Sequence, residues 1–107
     1  MLATVESVPG IYLRNLDPGS VLDVETTSRH YRIEYVGGDE VRISGHPRLC
    51  PEPVLARLRG SLGSKGVIHP GFVGRGMRLE FRRLNDDLPV ITSAILDIRQ
   101  EKLETES

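Results

Sequence analysis

The segment from residue 44 to 53 carries an unusual pair of chemically versatile side chains, His46 and Cys50. Both residue types bind zinc, and a histidine beside a thiol can also activate a cysteine nucleophile. One histidine and one cysteine supply at most half of a tetrahedral zinc site, so His30 and His69 would have to complete it. Three prolines exclude a helix here and favour an extended, turning loop. We therefore predict a rigid inter-strand loop with a buried thiol, and keep a metal-binding or reactive pair at His46 and Cys50 as the alternative.

Charge is distributed unevenly along the chain. Residues 1–40 and 86–107 each carry a net charge of −4, whereas residues 41–85 carry +7, so the overall charge of −1 conceals a basic middle segment. Such a segment either binds an anionic partner or neutralises acidic residues of its own chain. Twelve of the fourteen basic residues are arginine, a bias typical of GC-rich bacterial genomes, and arginine binds carboxylate and phosphate bidentately.

Five arginines of the middle segment are candidate anion ligands. If their strands are neighbours, the side chains form a patch for phosphates, with an expected log–log salt slope of about −4 on duplex DNA. The competing interpretation is a solvated face that pairs across strands with Asp23, Glu25 and Glu34, and the near-neutral net charge favours it. The candidate anion-binding residues are Arg57, Arg59, Arg75, Arg78 and Arg82.

Two glycine-rich runs contain the small residues and free amides that phosphate loops use. The run at 60–66 includes Lys65 but lacks the Walker spacing, and an apolar pair typical of a strand follows it. The run at 71–76 has no surrounding βαβ unit, which a dinucleotide site requires. We therefore predict a hairpin loop, a bend or bulge, and no cofactor.

Apolar and polar residues alternate with a period of two in most windows between the glycines and prolines. This pattern predicts half-buried antiparallel strands at 21–26, 31–35, 41–43 and 77–82. The window 53–59 fits a short helix or a strand, and its β neighbours favour the strand. Residues 90–99 are mostly apolar with a broken alternation, which indicates a strand buried on both faces or covered by a second chain. We predict an all-β fold of about seven short, mostly antiparallel strands, as a small closed barrel or tight sandwich.

Length and composition indicate a single β domain at residues 1–99, followed by a polar acidic tail at 100–107 that we expect to be disordered. We expect no targeting segment and no membrane partner, and the lone cysteine fits a reducing cytoplasm. The inward strand positions define a predicted core of Leu22, Val24, Tyr31, Ile33, Ile43, Leu58, Met77, Leu79, Phe81 and Ile95.

These observations predict a non-catalytic binding or assembly module, with no catalytic residues assigned. The apolar run at 90–98 offers more surface than one face of a small barrel covers, so we expect self-association, most simply as a symmetric homodimer. Two alternatives stay open. One is a weak nucleic-acid or phosphate binder that uses the basic segment 41–85, and the other is a small metal-dependent enzyme that uses His46 and Cys50.

Overall fold

The computed structural model describes residues 2–86 and 88–104. The described residues form ten strands and one 3-10 turn at Leu13–Asn15. The predicted all-β fold is confirmed as a closed barrel rather than a sandwich, with ten strands instead of about seven. No helix that is long and apolar enough to cross a bilayer occurs among the described residues. The strands are β1 (Leu2–Ser7), β2 (Gly10–Tyr12), β3 (Val21–Thr26), β4 (His30–Gly37), β5 (Glu40–Ser44), β6 (Val54–Leu62), β7 (Ile68–Pro70), β8 (Phe72–Gly74), β9 (Arg78–Arg83) and β10 (Val90–Glu104).

Six strands close the barrel in the order β3–β4–β5–β6–β9–β10 and back to β3, and all of these pairings are antiparallel. Closure gives each barrel strand two neighbours, which removes the exposed edges that a short sheet would otherwise present. The four remaining strands extend the barrel: β1 pairs with the last part of β10, β7 pairs with the end of β6, and β2 and β8 form a separate ribbon.

The barrel interior is filled mainly by aliphatic side chains around Phe81, and the Tyr31 ring packs edge-on against it with 6.0 Å between the ring centroids. The predicted core is confirmed at nine of its ten positions. Met77 is the exception and is half-buried, because the chain turns at Gly76 (φ +79°) and β9 begins only at Arg78. Buried apolar residues outside that prediction are Leu13, Leu16, Val21, Tyr35, Val41, Cys50, Ala56, Val73 and Ile98.

Residues 54–59 belong to strand β6, which confirms the strand interpretation over the helix. The pairing of β6 with β9 skips Arg59, so this arginine is the extra residue of a β-bulge. The next residue, Gly60, has φ +147°, and a Cβ there would lie 2.1 Å from the carbonyl oxygen of His69. Glycine is therefore the residue that lets β7 approach the bulge.

Two shifts of register in β10 explain its broken alternation, one in its pairing with β9 and one in its pairing with β3. They place buried residues three positions apart, at Thr92, Ile95 and Ile98. Ile91 and Leu96 stay 48% and 51% exposed, so this strand is not buried on both faces within one chain.

Strand β10 continues beyond the domain boundary that the sequence predicts. Residues 100–104, predicted as part of a disordered tail, pair with β1 in the structure. The polar composition of this segment does not indicate a strand, but hydrogen bonding to β1 at the other end of the chain makes it one. The rest of the predicted tail, 105–107, lies outside the described residues.

Candidate functional site

Three of the five candidate arginines meet on the outer face of the barrel. Arg57 on β6 and Arg82 on β9 are direct cross-strand partners, and the bulge places Arg59 next to them. Together with Asp39 and Glu80 they line an open groove of about 310 Å³. We call Arg57, Arg59 and Arg82 the arginine surface.

Acidic residues compensate the arginine surface only in part. Arg59 donates to the Glu80 carboxylate at 3.1 Å, and Arg57 faces Glu40 of β5 in the strand register. Neither Arg57 nor Arg82 forms an ion pair with a residue in the ranges 2–86 and 88–104. Like charges directly opposite each other destabilise a sheet, so this pair creates a position where a bound anion is favourable.

The acids expected to compete for the arginine surface lie elsewhere on the barrel. The strand register pairs them with other basic residues: Asp23 with Arg32 and Arg99, Glu25 with His30, and Glu34 with Arg42. Among the described residues, the ion pairs of these three acids are those of Glu25, at 3.8 Å from His30 and 3.7 Å from Arg99. The arginine surface is left with Asp39, Glu40 and Glu80 as its nearby acids.

The other two candidate arginines lie apart from this surface. Arg75 donates to Oδ1 of Asp97 at 2.8 Å, and Ser7 and Arg99 bind the same carboxylate. Hydrogen bonds from Ser7, Arg99 and Arg75, in that order of effect, hold the pKa of Asp97 well below its ordinary value. Arg78 lines a separate groove at the other end of β9.

A second groove, of about 300 Å³, adjoins the first and shares Asp39 and Arg59 with it. The Arg14 guanidinium carbon lies 4.2 Å from the centroid of the Tyr12 ring, which packs at 4.7 Å on the ring of Phe72. Sequence reasoning missed Arg14 and Tyr12, because they belong to the acidic first part of the chain. Only the long-range pairing of β2 with β8 brings them here, and no local pattern predicts that pairing.

His46 and Cys50 close the loop between β5 and β6. The backbone N–H of Cys50 donates to the His46 carbonyl at 3.0 Å, and that of Gly45 donates to the Cys50 carbonyl at 2.9 Å. Nδ1 of His46 accepts from the N–H groups of Arg48 and Leu49 at 3.2 Å each, which leaves the proton of the neutral ring on Nε2. The Cys50 side chain is fully buried, and burial raises the pKa of its thiol. The loop thus has the predicted form, a buried thiol with a histidine held by the backbone.

The remaining histidines lie in other places. Nε2 of His30 is 3.8 Å from a carboxylate oxygen of Glu25, and the His69 ring is 6.4 Å from that of Phe72. Within the part of the chain that the structure describes, no group of three or more His, Cys, Asp or Glu side chains is placed to hold a metal ion.

Comparison with known proteins returned no match: no family model, no curated protein and no solved structure is significantly similar to this chain. What the arginine surface binds has to be inferred from its own residues.

Proposed function

We propose that this barrel is a non-catalytic binding module that takes an anionic partner on the arginine surface. The observation that carries the proposal is the direct opposition of Arg57 and Arg82, two exposed guanidinium groups without an ion pair to any described residue. A phosphate oxygen between them offsets their repulsion and accepts charge-assisted hydrogen bonds from both. Arg59 is bound to Glu80 but remains largely exposed, so it supplies a third donor.

Binding of a phosphate polymer is expected to be weak and sensitive to salt. Neutralising about three phosphates gives a log–log salt slope of about −2.7 on duplex DNA, shallower than five convergent arginines would give. Asp39 and Glu80 line the groove and oppose a polyanion. Sequence preference is not expected, because the outer face of two barrel strands presents phosphate ligands and no element shaped to enter a major groove.

Arg82→Glu is expected to abolish oligonucleotide binding and to make the barrel slightly more stable. The substitution removes a phosphate ligand, and it gives Arg57 an oppositely charged cross-strand partner, worth about 0.2–1 kcal/mol. Fluorescence anisotropy with labelled single- and double-stranded oligonucleotides at about 50 mM salt measures binding. Urea denaturation measures the free energy of unfolding, so a loss of binding cannot be mistaken for a loss of folding.

Arg32→Glu is the matched control for this experiment. Arg32 is also exposed on the outer face, but it lies on β4 opposite Asp23, so the same substitution should lower stability and leave oligonucleotide binding unchanged. Undiminished binding by the Arg82→Glu protein would contradict the proposal. So would the absence of binding by the original protein at tens of micromolar, where non-specific binders are detected.

We also propose that the chain self-associates through the exposed side of β10. Ile91 and Leu96 belong to the apolar run 90–98, yet about half of each side chain is exposed in the monomer. Sedimentation velocity at micromolar concentration should show a dimer or larger species. Ile91→Lys should shift the association equilibrium towards the monomer, because burying a charge in an apolar interface costs free energy. Sedimentation of the original chain as a monomer at low and moderate salt would rule out this part of the proposal.

The cytoplasm is the location we propose. Cys50 is a free and buried thiol, and unpaired cysteines are typical of reducing compartments.

A further inference from the structure

A pocket separate from the arginine surface opens between the β3–β4 turn, the loop that contains His46 and the start of β10. Its volume is about 380 Å³, and it shares no lining residue with the groove of the arginine surface. Its lining is mixed: the polar lining residues are Ser28, Arg29, Tyr31, His46, Thr92 and Ser93, and the apolar ones are Leu49, Pro89, Val90 and Ile91. None of the described lining residues is acidic.

Hydrogen bonds and backbone contact hold both polar elements in place. In the β3–β4 turn, Oγ1 of Thr26 accepts from the N–H of Arg29 and donates to its carbonyl oxygen, each at 3.0 Å. The loop that contains His46 rests directly on β4: a Cβ at Gly45 would lie only 2.0 Å from the carbonyl oxygen of His30. The pocket is therefore preformed, which lowers the entropic cost of binding a ligand.

Three groups that can donate hydrogen bonds line the pocket without an acceptor among the described residues. Tyr31 is only 3% exposed, yet its hydroxyl forms no hydrogen bond with a described residue. Protein atoms do not fully enclose that hydroxyl, and Tyr31 lines the pocket, so we expect the hydroxyl to be accessible to a ligand there. Among the residues that the structure describes, the Nε2–H of His46 has no acceptor and the Arg29 guanidinium has no ion-pair partner.

The electrostatic field in the pocket is positive. Burial, followed by the charges of Arg29, Arg48 and Arg83, lowers the pKa of His46, so its ring is neutral at pH 7 and keeps the Nε2–H. Burial, with a contribution from Cys50, raises the pKa of Tyr31 and keeps its hydroxyl protonated. Arg29, Tyr31 and His46 thus present one fixed positive charge and two neutral donors to the pocket.

We propose that this pocket binds a small organic carboxylate with an apolar body. Arg29 pairs with the carboxylate, and the Tyr31 hydroxyl and the Nε2–H of His46 donate to its oxygens. The apolar lining residues, among them Leu49 and Val90, contact the body of the ligand. One guanidinium in a pocket with a partly apolar lining suits a monoanion of this kind, because a strongly hydrated anion without a body would leave the apolar lining uncovered.

Benzoate is a suitable probe for the isotope-labelled protein. We expect saturable shifts of the backbone amide resonances of Arg29, Leu49 and Ser93. Arg29→Gln should weaken benzoate binding about tenfold or more, because hydrogen bonds to a charged group contribute most. Tyr31→Phe should weaken it several-fold without lowering stability, since the hydroxyl has no protein partner to lose. His46→Asn should also weaken binding, because the amide oxygen can still accept from the loop N–H groups while the Nε2–H is gone.

Arg42→Gln is the matched control: Arg42 is exposed on β5, does not line the pocket and is not among the charges that act on His46, so affinity should change by less than about twofold. Benzylammonium has a similar size and the opposite charge, and should not bind. Inorganic phosphate should shift the same resonances more weakly than benzoate, because it has no apolar body. The proposal is overturned if benzylammonium or phosphate binds as tightly as benzoate, if Arg42→Gln weakens binding as much as Arg29→Gln, or if benzoate gives no saturable shifts.

Discussion

Ile95→Lys is expected to unfold the protein, whereas Ile91→Lys on the same strand is expected to leave the chain folded. Ile95 is 1% exposed and lies inside the barrel, while nearly half of the Ile91 side chain faces solvent. An ammonium group at position 95 would be buried among aliphatic side chains, at a cost of several kcal/mol. That is a large share of the roughly 5–15 kcal/mol that stabilises a domain of this kind. At position 91 the same group stays hydrated in the monomer. The two proteins are therefore compared at a concentration low enough for the chain to be monomeric.

Far-UV circular dichroism and urea denaturation distinguish the two proteins. Ile95→Lys should show no cooperative transition, and Ile91→Lys should unfold within about 0.5 kcal/mol of the original protein. The comparison tests the register shifts of β10, because strict alternation from 91 to 95 would place both side chains on the same face. Equal destabilisation by the two substitutions would therefore contradict the structure of this strand.

Gly60→Ala is expected to lower the free energy of unfolding by about 3–5 kcal/mol, at the severe end for a single substitution. The new Cβ would approach the His69 carbonyl oxygen to 2.1 Å in a backbone region that favours glycine, so β7 and the bulge have to separate. Because the bulge positions Arg59, the fraction that still folds should also bind oligonucleotides less tightly than the original protein.

Gly66→Ala is the control for this substitution. Gly66 also has a positive φ, +73°, but a Cβ there meets no atom within 4 Å, so the cost should be only the conformational preference of about 1 kcal/mol. Urea denaturation of both proteins measures the difference. A loss at Gly60 as small as the loss at Gly66 would mean that β7 does not approach the bulge as the structure shows.

Local periodicity was enough to predict most barrel strands. Residues 21–26, 31–35 and 41–43 alternate because one side of each strand packs in the barrel and the other faces water. Alternation places Met77 in the core, and this prediction is wrong because Met77 belongs to the turn at Gly76 and precedes the first residue of β9. The sequence of β10 shows that its alternation is broken. The register shifts that cause this depend on two neighbouring strands, β3 and β9, so one segment cannot predict them.

The sequence predicts the positive charge of the candidate site, but only some of the residues that form it. The basic middle segment does contain the arginine surface, but in the strand register the acids expected to compete for it lie opposite Arg32, Arg42, His30 and Arg99 instead. Arg75 belongs to a different network, with Asp97 and Ser7. These differences arise from strand order, which decides the neighbours of an outward side chain. Alternation within one strand predicts only that the side chain points outward.

By itself, the sequence determined the all-β class, most inward residues and the basic character of the middle segment, because all three depend on local periodicity and composition. Only the tertiary structure decided that Arg57 opposes Arg82 and that His46, Arg29 and Tyr31 line one pocket. The physical reason is barrel closure. Closure joins β6 to β9 and β10 to β3, and the register between such distant segments is set by packing of the whole core rather than by any single stretch of chain.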